Sequence, residues 1–139
     1  SRTISEIEVK FKDFNNLFVF LHLEPIYKNK AWVVLDNGNT EKGIINKMKD
    51  YYLKHDWDPN NFLQFEQHNF EKYYPETFKE RVEDVLSIED KNEKREQKKI
   101  LLEELKVWIS ENNEKAKSEF SVSAKEVITL LKYIEKQTR

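Results

Sequence analysis

Asp36 is the residue of this chain whose position most clearly suggests chemistry. It directly follows an apolar run at residues 31–35 and precedes the turn-forming residues 37–40. A strand that is apolar on both faces belongs inside a parallel sheet, and open α/β sheets keep their binding sites at the carboxyl ends of their strands. The pattern predicts a metal or phosphate site at Asp36. A carboxylate at a strand end can equally cap the next helix, so both roles stay open.

Two further carboxylates follow a second predicted strand. Glu66 and Glu71 come after the apolar segment at residues 62–65, and parallel strands would bring them to the same sheet edge as Asp36. Carboxylate oxygens are the ligands that Mg²⁺ and Mn²⁺ prefer, and these ions hold phosphate oxygens and activate water for phosphodiester cleavage. The sequence therefore indicates metal chemistry based on carboxylates.

Other common catalytic groups are missing or isolated. The chain has no cysteine and only two glycines, Gly38 and Gly43, which excludes thiol catalysis and a glycine-rich phosphate loop. No serine lies on a glycine elbow. The three histidines, His22, His55 and His68, do not pair at helical spacing, which favours structural or surface roles over a zinc site.

Composition favours one domain without membrane contact. The 139 residues carry 24 Lys and Arg against 26 Asp and Glu, a net charge of -2, so no overall basic field indicates autonomous DNA binding. The absence of cysteine, of a signal peptide and of a transmembrane stretch predicts a cytoplasmic protein. The chain has no initiator methionine, and we expect it to be a fragment of a longer protein.

The N-terminal third is predicted from short apolar patterns. Ile7, Val9 and Phe11 alternate with charged residues, which predicts a half-exposed edge strand. The apolar run at residues 17–23 has no decisive period, and we expect a short helix there that leads to the strand at Ala31.

A strand–helix–strand unit follows. Thr40 is placed to cap a helix with apolar residues at three- and four-residue spacing. These residues are Ile44, Ile45, Met48, Tyr51 and Tyr52. A turn at residues 57–60 precedes the second strand. Strand, helix and strand within about 35 residues predict a βαβ unit with a parallel, right-handed crossover.

The second half of the chain is patterned for helices. Pro75 suits the first turn of a helix with one apolar face, and residues 92–109 form a long amphipathic helix. Ser123 and Glu126 have the spacing of a capping box at the start of a last helix. The apolar stripes of these helices are expected to be core or helix-pair contacts.

Two segments together resemble a known family. Residues 33–39, Val-Val-Leu-Asp-Asn-Gly-Asn, end a hydrophobic strand in an acid, and residues 65–75, Phe-Glu-Gln-His-Asn-Phe-Glu-Lys-Tyr-Tyr-Pro, carry an acid before an aromatic pair. This combination resembles the TOPRIM region of OLD-family (overcoming lysogenization defect) ATP-dependent endonucleases, over residues 30–76. Asp36 matches the first acid of the family's Asp-x-Asp motif, and Glu71 matches the later acid, with Glu66 as the alternative.

Two features depart from the family pattern. Gly38 stands where the second acid of Asp-x-Asp is expected, which removes one metal ligand. The glutamate of the first TOPRIM strand has no match, since Glu6 and Glu8 lie on the predicted edge strand and Glu24 precedes a proline. We therefore expect that first strand to lie upstream of the chain.

The implied fold class is α/β: a partial TOPRIM-like parallel sheet with flanking helices, followed by a helical C-terminal part. Residues 1–75 would form the TOPRIM-like part, and residues 76–139 would form a helical part of the same domain.

The resemblance also implies a function, that of a metal-dependent DNA endonuclease module used in phage defence. Asp36, Glu71 and Glu66 would hold Mg²⁺ or Mn²⁺, and Lys72 would contact the scissile phosphate, with Lys125 as a remote alternative. ATP would act only through a separate N-terminal ATPase domain of the parent protein. The expected partners are DNA, that ATPase domain and a second copy of the chain in a homodimer.

Two other classes of function fit the same residues. If Gly38 marks a degenerate metal site, the chain would be a non-catalytic TOPRIM-like interaction or dimerisation domain, whose helix at residues 92–109 pairs with a copy of itself. A receiver-like phosphoacceptor also places an Asp at a strand tip, but the acidic pair expected on an earlier strand is not evident here. Binding of a divalent ion separates the nuclease from the interaction domain.

Overall fold

A short parallel sheet and the helix that connects its strands give the chain its α/β character. In the computed structural model, which describes residues 4–139 apart from the side chain of Ser5, β1 spans Val33–Leu35 and β2 spans Phe62–Gln64. The two strands pair in parallel, and α3 (Asn39–Leu53) joins them. The predicted βαβ unit is confirmed, in the form of a two-stranded sheet.

The chain divides into two units with separate hydrophobic cores. Unit 1 comprises the chain up to His68 together with Glu135–Arg139, and unit 2 spans Asn69–Ile134. Across the part of the chain that the structure describes, no helix is long and apolar enough to cross a membrane.

Unit 1 is built around an aromatic core. Phe62 of β2 is fully buried (0% exposed), and its ring centroid lies 5.3 Å from that of Phe11 and 5.4 Å from that of Tyr52. The Phe11 ring also meets Trp57 edge to face at 5.2 Å. Aliphatic side chains from β1 and α3 complete this core: Val33, Leu35, Ile45 and Met48. Edge-to-face pairs add stability beyond burial alone, so this cluster holds the sheet and α3 together.

The N-terminal residues form a helix, so the predicted edge strand is wrong. α1 spans Ile4–Phe20. Ile4, Ile7 and Phe11, three and four residues apart, pack in the core of unit 1, whereas Val9 is 57% exposed. The apolar alternation at residues 7–11 covers barely more than one helical turn, and a helix with one apolar face accommodates it as well as a strand does.

The segment after α1 also differs from its prediction. The expected short helix at residues 17–23 is instead the end of α1 and a turn in which His22 has a left-handed backbone (φ 58°). A four-residue helix, α2 (Glu24–Tyr27), follows with a proline in its first turn. The run at residues 17–23 had no decisive period because it spans the end of a helix.

Unit 2 is helical. Two 3-10 turns (Phe70–Tyr73 and Glu76–Phe78) lead into α4 (Lys79–Leu86). α5 (Lys91–Glu111) begins at Asp90, whose side chain accepts a hydrogen bond from the Glu93 amide at 2.7 Å. The core of this unit contains Phe78, Val82, Val85, Leu101 and Leu105. The predicted helices after Pro75 and over residues 92–109 are confirmed.

The predicted last helix is present as α7 (Lys125–Thr138), but the helix before it and the cap differ from the prediction. The sequence analysis did not predict α6 (Asn113–Ser123). The expected capping box is wrong, because Ser123 is the last residue of α6 and its hydroxyl donates to the Tyr73 carbonyl oxygen at 3.0 Å. The Tyr73 hydroxyl donates to the Glu126 carboxylate. Both side chains therefore bond to Tyr73, in the turn at Phe70–Tyr73.

Candidate functional site

Asp36 lies at the carboxyl end of β1. It directly follows Leu35, the last residue of the strand, and is partly buried. Hydrogen bonding between the strands continues to this point, because the Phe65 amide donates to the Leu35 carbonyl oxygen at 2.8 Å. Asp36 thus follows a paired parallel strand, which is where binding residues of open α/β sheets are found.

The loops that follow the two strands are joined by amide hydrogen bonds. The Gln64 Nε2 donates to the carbonyl oxygens of Asp36 (3.1 Å) and Gly38 (3.2 Å). The Asn37 Nδ2 donates to the carbonyl oxygen of Glu66 at 2.9 Å. These neutral side chains bond to backbone atoms, so they fix the course of the loops without compensating the charge of a carboxylate.

Glu41 lies beside the position where the family pattern has its second acid. Gly38 is the N-cap of α3, with an extended backbone and no side-chain cap, so the expected cap at Thr40 is wrong. The Glu41 carboxylate folds back over Gly38, and a Cβ at position 38 would overlap it. The carboxylate of Glu41 therefore fills the space beside Gly38 in which a Cβ would lie.

Glu66 and the histidines have exposed positions. Glu66 and His68 follow β2, and the His68 Nδ1–H donates to the Asn37 carbonyl oxygen at 2.8 Å. The His55 ring packs beside Tyr51, with centroids 5.0 Å apart. Of the three histidines, His68 contributes to the loops next to Asp36, through its bond to the backbone.

Glu71 lies in unit 2, in the 3-10 turn at Phe70–Tyr73. Its Oε2 is 3.3 Å from the Nζ of Lys98 on α5, and the side chains of Glu71 and Lys98 are 14% and 30% exposed. Lys72 is exposed, and Lys125 is the exposed first residue of α7. The structure thus pairs Glu71 with a lysine that the sequence did not single out.

Glu71 and Lys72 line a cleft of about 260 Å³ within unit 2. The cleft has acidic, basic and hydroxyl groups on its walls. The other lining residues are Tyr74, Glu76, Lys79, Val82, Glu83 and Ser123. Burial, and to a lesser extent the negative charge of Glu71, raise the pKa of the Tyr74 hydroxyl above its ordinary value.

A divalent ion suits the chemistry of these carboxylates. Among the described residues, no group of three or more His, Cys, Asp or Glu is gathered closely enough to hold a metal ion. Mg²⁺ does not need such a cage, because it keeps several waters and binds through one or two carboxylates together with substrate phosphates. Asp36 and Glu41, near the strand end, and Glu71, in its cleft, carry carboxylate oxygens of the type that such an ion binds.

The sequence analysis did not single out Glu41 or Lys98. In the structure Glu41 lies beside Gly38, and Lys98 pairs with Glu71. Glu41 had a detectable signal, since a residue three positions after an N-cap often reaches back to it. Lys98 had no such signal, because it pairs with a residue 27 positions earlier.

Comparison with protein-family models gave no matching family, and comparisons with curated proteins and with solved structures gave no match.

Proposed function

We propose that this chain is a cytoplasmic, metal-dependent DNA endonuclease module with a TOPRIM-like sheet, of the kind found in OLD-family ATP-dependent nucleases. The observation that supports the proposal most directly is the position of Asp36, at the carboxyl end of a parallel strand and beside a loop fixed by Gln64. An acid in that position can reach a ligand outside the sheet edge.

The residues of the chain have distinct parts in the proposed reaction. When bound, Mg²⁺ or Mn²⁺ would supply a Lewis acid that activates water and neutralises charge on the scissile phosphate. Asp36 would hold the ion, and Gln64 keeps the backbone of Asp36 in place. The resemblance assigns Glu71 to metal binding as well, with Glu66 as its alternative, and gives Lys72 the contact to phosphate. ATP acts through a separate ATPase domain of the parent protein.

A Mn²⁺ titration by calorimetry tests the metal part of the proposal. The comparison uses the unmodified chain, Asp36→Asn and the matched control Asp50→Asn, which changes an exposed acid on α3. We expect binding that is lost in Asp36→Asn and kept in Asp50→Asn. A further variant, Glu71→Gln, tests whether Glu71 contributes to the Mn²⁺ affinity. Equal affinity in all four proteins would contradict the metal site.

Plasmid nicking under the same ionic conditions tests the nuclease part. We expect cleavage that requires Mn²⁺ and that Asp36→Asn abolishes. Metal binding without any nicking by the chain alone would leave the metal site standing and would move catalysis to residues supplied by the parent protein.

The second candidate is a non-catalytic interaction domain with a degenerate metal site. Two observations favour it: Gly38 replaces an expected acid, and α5 exposes large apolar residues, with Ile100 45% and Val107 55% exposed. A homodimer through this face would be detected by sedimentation equilibrium. We would then expect Val107→Glu to yield monomers and Val122→Glu, at an exposed apolar position on α6, to leave the dimer intact.

A further inference from the structure

The ion pair between Lys98 and Glu71 differs from the other ion pairs that lysines of α5 form. Lys99 and Lys106 pair with acids three residues earlier on the same helix, and in both pairs all side chains are more than half exposed. Lys98 instead pairs with Glu71, in a turn outside α5, and Glu71 is 14% exposed. Salt screens partly buried pairs less than exposed ones, so the attraction between Lys98 and Glu71 is less sensitive to ionic strength than that of the exposed pairs on α5.

The sequence around Lys98 shows that this pairing is not a by-product of helical spacing. The positions three and four residues before it are Arg95 and Lys94, and those three and four residues after it are Leu101 and Leu102. Helical neighbours at these spacings are the ones that interact. α5 therefore offers Lys98 like charges and apolar groups, and Glu71 supplies the negative charge that its own helix does not.

Glu71 is at the same time accessible to a small ion. It lines the cleft of about 260 Å³ in unit 2, whose walls also carry hydroxyl and carboxylate groups such as Tyr74 and Glu76 and two lysines, Lys72 and Lys79. A cleft of this volume has room for a hydrated ion. One oxygen of that carboxylate, Oε2, already lies 3.3 Å from the Lys98 ammonium.

We propose that Lys98 occupies the place of a cation at Glu71 when no divalent ion is bound, and that an incoming ion must displace its ammonium group. This inference rests on the proposed function, in which Glu71 binds metal. The ammonium compensates the carboxylate of Glu71 in the metal-free chain and lowers its affinity for a second cation. Lys98 thus sets the divalent-ion concentration at which the site fills.

Calorimetric titration with Mn²⁺ on Lys98 variants tests this displacement. Lys98→Met keeps the length of the side chain and removes its charge. We expect it to bind Mn²⁺ about 1.5-fold to fivefold more tightly than the unmodified chain, the range for loss of a partly exposed ion pair. Lys98→Arg should bind as the unmodified chain does, because it retains the charge. Lys99→Met, which removes the neighbouring exposed pair with Glu96, is the control for a general change in net charge.

A double variant identifies the group through which Lys98 acts. If Lys98 competes with metal at Glu71, then Lys98→Met should no longer tighten binding in a Glu71→Gln background. Circular dichroism and thermal unfolding of each variant check that unit 2 is folded, and Lys98→Gln replaces Lys98→Met if the latter does not fold.

The outcomes separate this inference from the proposed function. Weaker binding in Lys98→Met would mean that Lys98 orients Glu71 for the metal, and it would overturn displacement. Unchanged binding in Lys98→Met, with binding still lost in Asp36→Asn, would overturn the inference alone. Absence of Mn²⁺ binding in every variant would overturn both.

Discussion

The two units position their candidate acids by different means. In unit 1, Asp36 follows a strand, and the neutral amide of Gln64 fixes the loop through bonds to backbone carbonyl oxygens. In unit 2, Glu71 lies in a single 3-10 turn, and its carboxylate is held by the charged side chain of Lys98. The first arrangement depends on the sheet and its core, and the second depends on electrostatic contacts between side chains.

This difference has physical consequences. Neutral hydrogen bonds to the backbone are insensitive to ionic strength, so the loop at Asp36 should keep its geometry in high salt. The ion pair of Glu71 and Lys98 is partly exposed, so added salt screens it in part. Unit 1 therefore fixes the loop that carries Asp36 through neutral bonds, whereas in unit 2 the Glu71 carboxylate is paired with the charge of Lys98.

The largest expected effect comes from the aromatic core of unit 1. Phe62→Ala removes a fully buried ring that packs against Phe11 and Tyr52 and should cost about 3–5 kcal/mol of unfolding free energy. Urea unfolding followed by tryptophan fluorescence measures the loss. Phe20→Ala, at a position that is 78% exposed, is the control and should cost far less.

The same variant tests whether the two units are independent in stability. Hydrogen exchange should quicken at the amides of β1, α3 and β2 in Phe62→Ala. If the amides of α4 and α5 quicken equally, the units unfold together and the contrast between them does not extend to their stability.

The next effect concerns alkaline pH and Tyr52. Burial, with smaller contributions from Tyr51 and Glu8, raises the pKa of the Tyr52 hydroxyl from 10.0 to about 12. Below pH 10 the hydroxyl is protonated in the folded and the unfolded chain. Between pH 10 and 12 the unfolded chain releases this proton while the folded chain retains it, so stability falls as the pH rises, by about 2–3 kcal/mol in total.

Tyr52→Phe should therefore reduce the loss of stability between pH 10 and 12. Urea unfolding at a series of pH values measures it, and Tyr133→Phe, at an exposed position on α7, is the control. An equally steep loss in Tyr52→Phe and in the unmodified chain would show that the aromatic core does not suppress ionisation of Tyr52.

The contrast between the units also explains which features the sequence could predict. The strand before Asp36 and the helix after it follow from local patterns: an apolar run, a turn, and apolar residues at helical spacing. Residues 92–109 are patterned in the same way over a longer stretch. These elements bury one face of a local segment, so the segment itself carries the information.

Three failures have identifiable causes. The alternation at Ile7, Val9 and Phe11 spans too few residues to separate a strand from a helix. α6 buries only a small residue, Ala116, so it lacks a strong apolar stripe. The pairing of Glu71 with Lys98 joins residues 27 positions apart that share no spacing rule. Local periodicity carries no information about such contacts, which arise from tertiary packing.

A smaller effect is expected from removing the amide of Gln64, the neutral group that fixes the loop at Asp36. Gln64→Met keeps the length of the side chain and removes both donated hydrogen bonds, which should cost about 1–2 kcal/mol. The Asn37 amide should also exchange faster with solvent, because the loop has lost its link to β2. Urea unfolding and amide exchange measured at low and at high salt should give the same difference. A loss that salt reduces would show that charge contributes here as well.

The smallest expected effect comes from a second carboxylate that holds a turn in unit 2. The Glu119 carboxylate accepts bonds from the amide (2.8 Å) and hydroxyl (2.7 Å) of Thr77, at the turn that leads into α4. Glu119→Ala should cost about 1 kcal/mol, the typical value for loss of a cap. Because Thr77→Val removes the hydroxyl bond to the same carboxylate, the stability losses of the two variants should be less than additive when the changes are combined.

The control is Glu114→Gln, at an exposed acid of α6, which should change stability by less than about 0.5 kcal/mol. Urea unfolding measures each loss. Strict additivity of Glu119→Ala and Thr77→Val would show that the Thr77 hydroxyl and the Glu119 carboxylate act on stability independently, so that their bond does not hold this segment.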